Sequence, residues 1–153
     1  MIEQQTMLAR PGRFGPTRSQ MKTHSRVDAQ TQGQIEAAVC AIIRQFELDQ
    51  MGRGPRDIRA HLLGDLLVVR LTGVLTPVEK HLAQSHPAAK SRDLLKQVRN
   101  HLVETARPIL GALILEATGV NVLSMHQDIS TVTGEELIVF TLSEAPSYRG
   151  RNR

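Results

Sequence analysis

The sequence predicts a two-layer α+β domain, with an antiparallel sheet of about four strands packed under two main helices in the order α-β-β-α-β-β. Three observations predict it. Two long segments carry apolar residues at three- and four-residue spacing, the period of a helix with one buried stripe. Two pairs of shorter segments carry alternating or short continuous apolar runs, as strands do. Turn-forming residues separate the members of each pair.

The first helix is expected from Asp28 to Met51, where Ile35, Val39, Ile42, Ile43 and Phe46 fall on one stripe. Gly52-Arg53-Gly54-Pro55 ends it, because Gly suits the left-handed position after a helix and Pro cannot continue one. Asp57 to Leu63 reads as a strand in which Ile58, Ala60 and Leu62 alternate with polar residues, and Gly64-Asp65 turns the chain into a second strand, Leu66 to Leu71. That strand is apolar at nearly every position, as a central strand is. Thr76-Pro77-Val78-Glu79 is a capping box with Pro at the first helical position. After an interruption at Ser85-His86-Pro87, a long helix is expected from about Ala88 to Thr118, with Leu95, Val98, Leu102, Ala106, Ile109, Leu110, Leu113 and Ala117 as its apolar stripe. Pro108 lies inside it and is expected to bend it, since the amide that would bond Glu104 is missing. Val120 to Ile129 and Leu137 to Leu142 read as the second strand pair, joined by the turn-rich segment Ser130 to Glu135.

One domain fits 153 residues, expected over 28–143 between basic tails at 1–27 and 144–153. The first 27 residues hold five basic side chains against Glu3, and the last ten hold Arg149, Arg151 and Arg153 against Glu144. Of the formal charge of +4 the tails therefore carry +4 and +2, and the middle is −2. Pro, Gly and polar residues without periodicity make both ends read as disordered. Basic tails favour anionic lipid or nucleic acid, but only weakly and without sequence preference. With aromatics at 3 % and no Trp, the core must be aliphatic, and the composition argues against base-stacking platforms. No apolar run reaches the length of a membrane span and the first residues lack a signal-peptide core, so the cytoplasm is the expected compartment. The single cysteine, Cys40, sits among apolar residues and reads as a buried thiol.

No nucleophile–base–acid order, zinc-protease helix or calcium-loop pattern is present, so no catalytic residue, metal or cofactor is assigned. The speculative ligand-binding residues are Arg53, Arg70, His126, Asp128, Ser130, Thr131, Thr133 and Glu135. His126 and Asp128 are two apart on a strand and share a face. Ser130, Thr131 and Thr133, with Asp128 and Glu135, put three hydroxyls and two carboxylates on one connection, which suits either an anion at its amides or turn bonds to its own backbone. Arg53 offers an anion contact at the Gly-rich turn. Arg70, in an apolar strand, is expected to be buried and to need a carboxylate partner.

Gly52-Arg53-Gly54-Pro55, the stretch Val69 to Glu79 (VRLTGVLTPVE), Arg107-Pro108, and Asp128 to Glu135 (DISTVTGE) followed by Ile138-Val139-Phe140 together resemble the MpsC-like family. The resemblance covers about residues 30 to 143. The family takes its name from a sodium-translocating, membrane-potential-generating system of bacteria. It implies a small protein working with membrane machinery for cation or inorganic-carbon uptake, and it supplies no catalytic residues. A chain that cannot span a bilayer would act there as a peripheral or regulatory partner at the inner face of the membrane. The implied partners are an integral membrane transport protein and a second copy of the chain. The alternative is a domain sensing a small anion or nucleotide through the 128–135 loop.

Overall fold

The structure, a computed structural model, describes residues 30–150. Helix α1 is Gln32–Met51, followed by strands β1 (Asp57–Leu63) and β2 (Leu66–Thr72). Helices α2 (Pro77–Gln84) and α3 (Ala88–Thr118) come next, then strands β3 (Val122–Ile129) and β4 (Glu136–Leu142). The strand order is β1-β2-β4-β3 and every pairing is antiparallel. The expected α+β class and element order hold, and β2 is central as its apolar run requires.

Local signals set the ends. Thr31 caps α1 through a capping box with Gln34, so the helix starts at Gln32; Asp28 lies outside the described residues. Gly52, at φ 73°, closes α1 in the left-handed region. The box read at Thr76 and Glu79 is present, with Pro77 in the first turn of α2. Gly73 leaves β2 at φ 66°, and a Cβ there would lie 2.8 Å from Arg56 Cβ, so both backbone and space demand glycine.

The two hairpins join through β2 and β4, in a register that sets Arg70 opposite Leu137 and Val68 opposite Val139. Along each strand one set of alternate side chains is buried: Ile58, Ala60 and Leu62 on β1, Leu67, Val69 and Leu71 on β2, Ile138, Phe140 and Leu142 on β4, Met125 and Ile129 on β3. The helices lie on this face, with Ile35, Val39, Ile43 and Phe46 of α1 and Leu95, Val103, Leu110 and Ile114 of α3 packed in the core. The opposite face carries Arg59, His61, Arg70, His126 and Asp128 and is exposed at those positions.

Three expectations need correction. The buried stripe of α3 runs through Leu95, Arg99, Val103, Ala106, Leu110, Ile114 and Ala117. Val98 and Ile109, assigned to the stripe from sequence, are exposed. The helix is rotated toward a line that contains an arginine, because that arginine is fully paired inside. The C-terminal boundary also shifts. Residues 144–150 continue the fold: Arg149 donates its amide to Gln30 O at 2.7 Å and Tyr148 packs against the core. Finally, Cys40 is half-buried, its Sγ 3.9 Å from Ile58 O. Pro108 lies on the exposed side of α3, and the helix continues to Thr118. The basic tail 1–27 lies outside the described residues.

Candidate functional site

A largely buried ionic cluster centres on Arg99, whose side chain is 0 % exposed. Its position on the buried stripe of α3 points the guanidinium at the start of α2, the end of α1 and the start of β4. The cap of α2 supplies the first partner. Glu79 Oε2 accepts the Thr76 amide at 2.7 Å, and the Glu79 amide donates to Thr76 Oγ1 at 3.2 Å. So fixed, Glu79 takes Arg99 with both oxygens, from Nε at 2.8 Å and Nη2 at 3.0 Å. This planar, two-bond recognition is what a guanidinium provides and an ammonium does not.

Glu136, the first residue of β4, points inward and accepts from Arg99 Nη1 at 2.9 Å. Its other oxygen accepts from Gln127 Nε2 of β3 at 2.6 Å. Arg99 Nη2 also donates to Val74 O at 3.1 Å. The third carboxylate, Glu47 in the last turn of α1, is 1 % exposed and has Oε2 3.7 Å from Arg99 Nη1. That is an ion-pair contact and not a hydrogen bond. Neither Glu47 oxygen has a hydrogen-bond partner, nor does Gln127 Oε1.

Three carboxylates face one guanidinium, so full ionisation would leave net −2 in the core. Burial, then the neighbouring Glu136 charge, push Glu47 up to about 7 against the pull of Arg99. Burial also raises Glu136, again opposed by Arg99. For Glu79, burial works upward but the bonds from Arg99 and Thr76 outweigh it, and the carboxyl lies below its ordinary range. Arg99 is held above its usual value, burial being overcome by Glu79 and Glu136. Of the three carboxyls, Glu47 is the one whose charged form has no hydrogen-bond donor to support it.

The residues singled out from sequence lie around this cluster. Arg53 donates to Gly73 O at 3.2 Å and Leu75 O at 3.5 Å, tying the Gly-rich turn to the loop that presents Val74 O to Arg99. The Val74 amide in turn donates to Gly134 O at 3.3 Å. The turn 52–55, the stretch 69–79 and the loop 128–135 thus meet at one end of the sheet. Arg70 corrects its expectation: its side chain is 56 % exposed on the open face and pairs with Glu135 at 2.6 Å. β2 is apolar toward both sides, yet only one side is covered.

Asp128 pairs with Lys96 of α3 at 2.9 Å, which holds it below the usual carboxylate range. His126 is exposed beside it on the same face, opposite Val139. Ser130 Oγ accepts from the Thr133 amide at 3.2 Å, and Thr133 Oγ1 accepts from the Glu135 amide at 3.3 Å. The Ser130 amide donates to Glu135 O and the Gly134 amide to Ser130 O, both at 2.8 Å. These hydroxyls and amides serve the turn itself, and Thr131 is half-buried within it. Among the described residues no three His, Cys, Asp or Glu side chains are grouped to hold a metal ion. Between α1 and α3 lies a largely apolar groove of about 470 Å³, walled by Ile42 and Phe46 on one side and Ala106, Ile109 and Leu113 on the other.

Sequence reasoning missed Glu47, Arg99, Gln127 and Glu136, and saw Glu79 only as a cap. One signal was available. Positions 95, 99, 103, 106, 110, 114 and 117 keep unbroken helical spacing, and the arginine in that series is the mark of a buried pair.

No helix among the described residues is long and apolar enough to cross a membrane. No solved structure matches the chain. It is similar to the uncharacterized protein YbcI of Bacillus subtilis (strain 168), 38 % identical over 112 residues that span 73 % of this chain and 88 % of that protein. The family model described as "Na+-translocating membrane potential-generating system (MpsC)" matches residues 31–144, which takes in every described helix and strand and all of the Arg99 cluster, and the chain belongs to that family.

Proposed function

We propose that the chain is a non-catalytic accessory or regulatory protein that acts with a membrane cation or inorganic-carbon transport system. The family name supplies the link to such a system. The observation that carries the reading is the placement of the ionic cluster. Arg99, Glu47 and Glu136 are 0–1 % exposed, so these three members of the cluster are closed to a substrate. Catalytic acids and bases must reach the reacting atoms, and these reach only one another.

What the domain offers outward is surface. Beside its buried stripe, α3 carries a second line of apolar side chains, with Leu94 at 50 %, Val98 at 49 % and Ile109 at 64 % exposure, running to the apolar groove against α1. Contiguous exposed apolar surface of this kind is what a protein contact buries. We assign this one to contact with a second copy of the chain or with the transport protein, at the inner face of the membrane, with the basic ends near anionic headgroups.

Affinity capture of the tagged chain from gently solubilised native cells tests the proposal, with a version lacking residues 1–27 beside it. Enrichment of an integral membrane transport protein by both versions supports it and puts the contact in the folded domain. Recovery of the bait alone by both overturns it. The alternative, an anion or nucleotide sensor at the 128–135 loop, has less support, because Ser130, Thr133 and the loop amides serve its own turn and Glu135 pairs with Arg70.

A further inference from the structure

We propose that the Arg99 cluster is a proton-binding site, in which Glu47 carries one exchangeable proton and its release loosens the last turn of α1 from the sheet. The geometry carries this. Glu79 and Glu136 take every Arg99 hydrogen bond that goes to a carboxylate, and Glu47, although 1 % exposed, has none. It is also the one member contributed by α1. A buried carboxylate without donors is stable neutral and costly charged.

The groups facing Glu47 come from every neighbouring element. α3 presents Arg99, α2 presents Glu79, and β4 presents Glu136 with Gln127 of β3 bonded to it. β1 turns only Ile58, Ala60 and Leu62 to this side. Two of the three charged neighbours are acids and the single cation is already engaged, so ionised Glu47 gains little and repels both. Moving the end of α1 outward lets water solvate the carboxylate. Gln127 Oε1, also without a partner, is a further buried acceptor in the same pocket. The inference stands on the cluster alone and holds whichever membrane system the chain serves.

The full chain contains a reporter. The backbone amides of the last turn of α1, closed by the Gly52 amide donating to Leu48 O at 3.0 Å, exchange hydrogen with solvent when that turn opens. The exchange rate is measured for the wild type and for Glu47→Gln at the same pH, and the ratio cancels the intrinsic exchange rate. With Glu47 titrating at about 7 in place and 4.5 when released, the ratio of wild type to variant rises roughly tenfold between about pH 6 and pH 8.5. A ratio that stays constant overturns the proposal. Carbon-13 NMR of the wild-type glutamate carboxyls, assigned through bonds, gives a reading that needs no variant. One buried glutamate titrating near neutrality supports the site, and a Glu47 midpoint in the ordinary glutamate range overturns it. The titration is repeated in sodium chloride and in choline chloride at equal ionic strength. Equal midpoints support a proton as the ligand, while a lowering in sodium alone shows a metal cation competing there and overturns the assignment to a proton.

Discussion

Replacing Arg99 by methionine removes the single cation of the cluster and keeps most of its length. Glu79 loses a two-bond partner, Glu136 loses the bond from Nη1, and Val74 O loses its donor. Glu136 is 0 % exposed, so without Arg99 it must take up a proton or open the core. Keeping a carboxyl of ordinary pKa 4.5 protonated at about pH 7.5 costs about 4 kcal/mol. The orphaned Val74 carbonyl adds about 1 kcal/mol, and the buried methionine returns about as much in apolar area. The sum falls within the roughly 3–5 kcal/mol typical of breaking a buried ion pair from one side. For a chain of this size that lowers the melting temperature by roughly 10 °C. Urea unfolding followed by far-UV circular dichroism is the assay, since the chain has no Trp and one Tyr. The loss should shrink by roughly 3 kcal/mol between about pH 7.5 and pH 5.5, as protons become cheap to supply. A loss under about 1 kcal/mol at pH 7.5, or one independent of pH, refutes the claim that Arg99 neutralises buried carboxylates.

Other outcomes follow from the same contacts. Thr76→Ala removes the acceptor for the Glu79 amide but keeps the backbone amide that holds the Glu79 carboxylate, so it should cost about the 1 kcal/mol of an ordinary cap, read by thermal unfolding. Gly73→Ala meets both a positive φ and Arg56 Cβ at 2.8 Å, and a loss of about 2 kcal/mol is expected, whereas Gly33→Ala, with open space around it, should stay within about 0.5 kcal/mol. Arg70→Ala breaks a largely exposed pair with Glu135 and should change stability by under about 1 kcal/mol in denaturant titrations. Ile109→Asp, on the exposed line of α3, should leave the unfolding midpoint nearly unchanged while abolishing self-association and partner capture; light scattering and affinity capture read the two effects.

The parts of the fold that were legible were those fixed by nearest neighbours in sequence. The Thr76 box, the Gly52 stop, the Gly64-Asp65 turn and the alternation of β1 each depend on a few adjacent residues, and each stands as read. What depended on pairing across the fold was not legible. Arg70 and Arg99 both interrupt apolar series, and the reading placed the wrong one inside. The difference is that α3 has its partners on one side and β2 is covered on only one of its two faces, which no local pattern states. The stripe of α3 was drawn through Val98 and Ile109 because apolar residues there outnumber those on the line through Arg99, and the energy of a paired guanidinium is invisible to a hydropathy count. The 128–135 loop was inviting because of its residue types, yet its hydroxyls are spent on its own amides.

The central claim is that a largely buried, carboxylate-rich cluster holds a proton on Glu47 and that the fold's stability depends on it. Its most direct test is the unfolding free energy of the wild type and of Glu47→Gln measured across pH. Because the carboxyl is raised from 4.5 to about 7 on folding, its favourable contribution is complete below about pH 4.5 and is lost as pH rises through 7. The wild type should therefore lose about 2 kcal/mol relative to Glu47→Gln between about pH 5.5 and pH 8. Parallel curves over that range would contradict the account, since they would mean that Glu47 has the same proton affinity folded as unfolded.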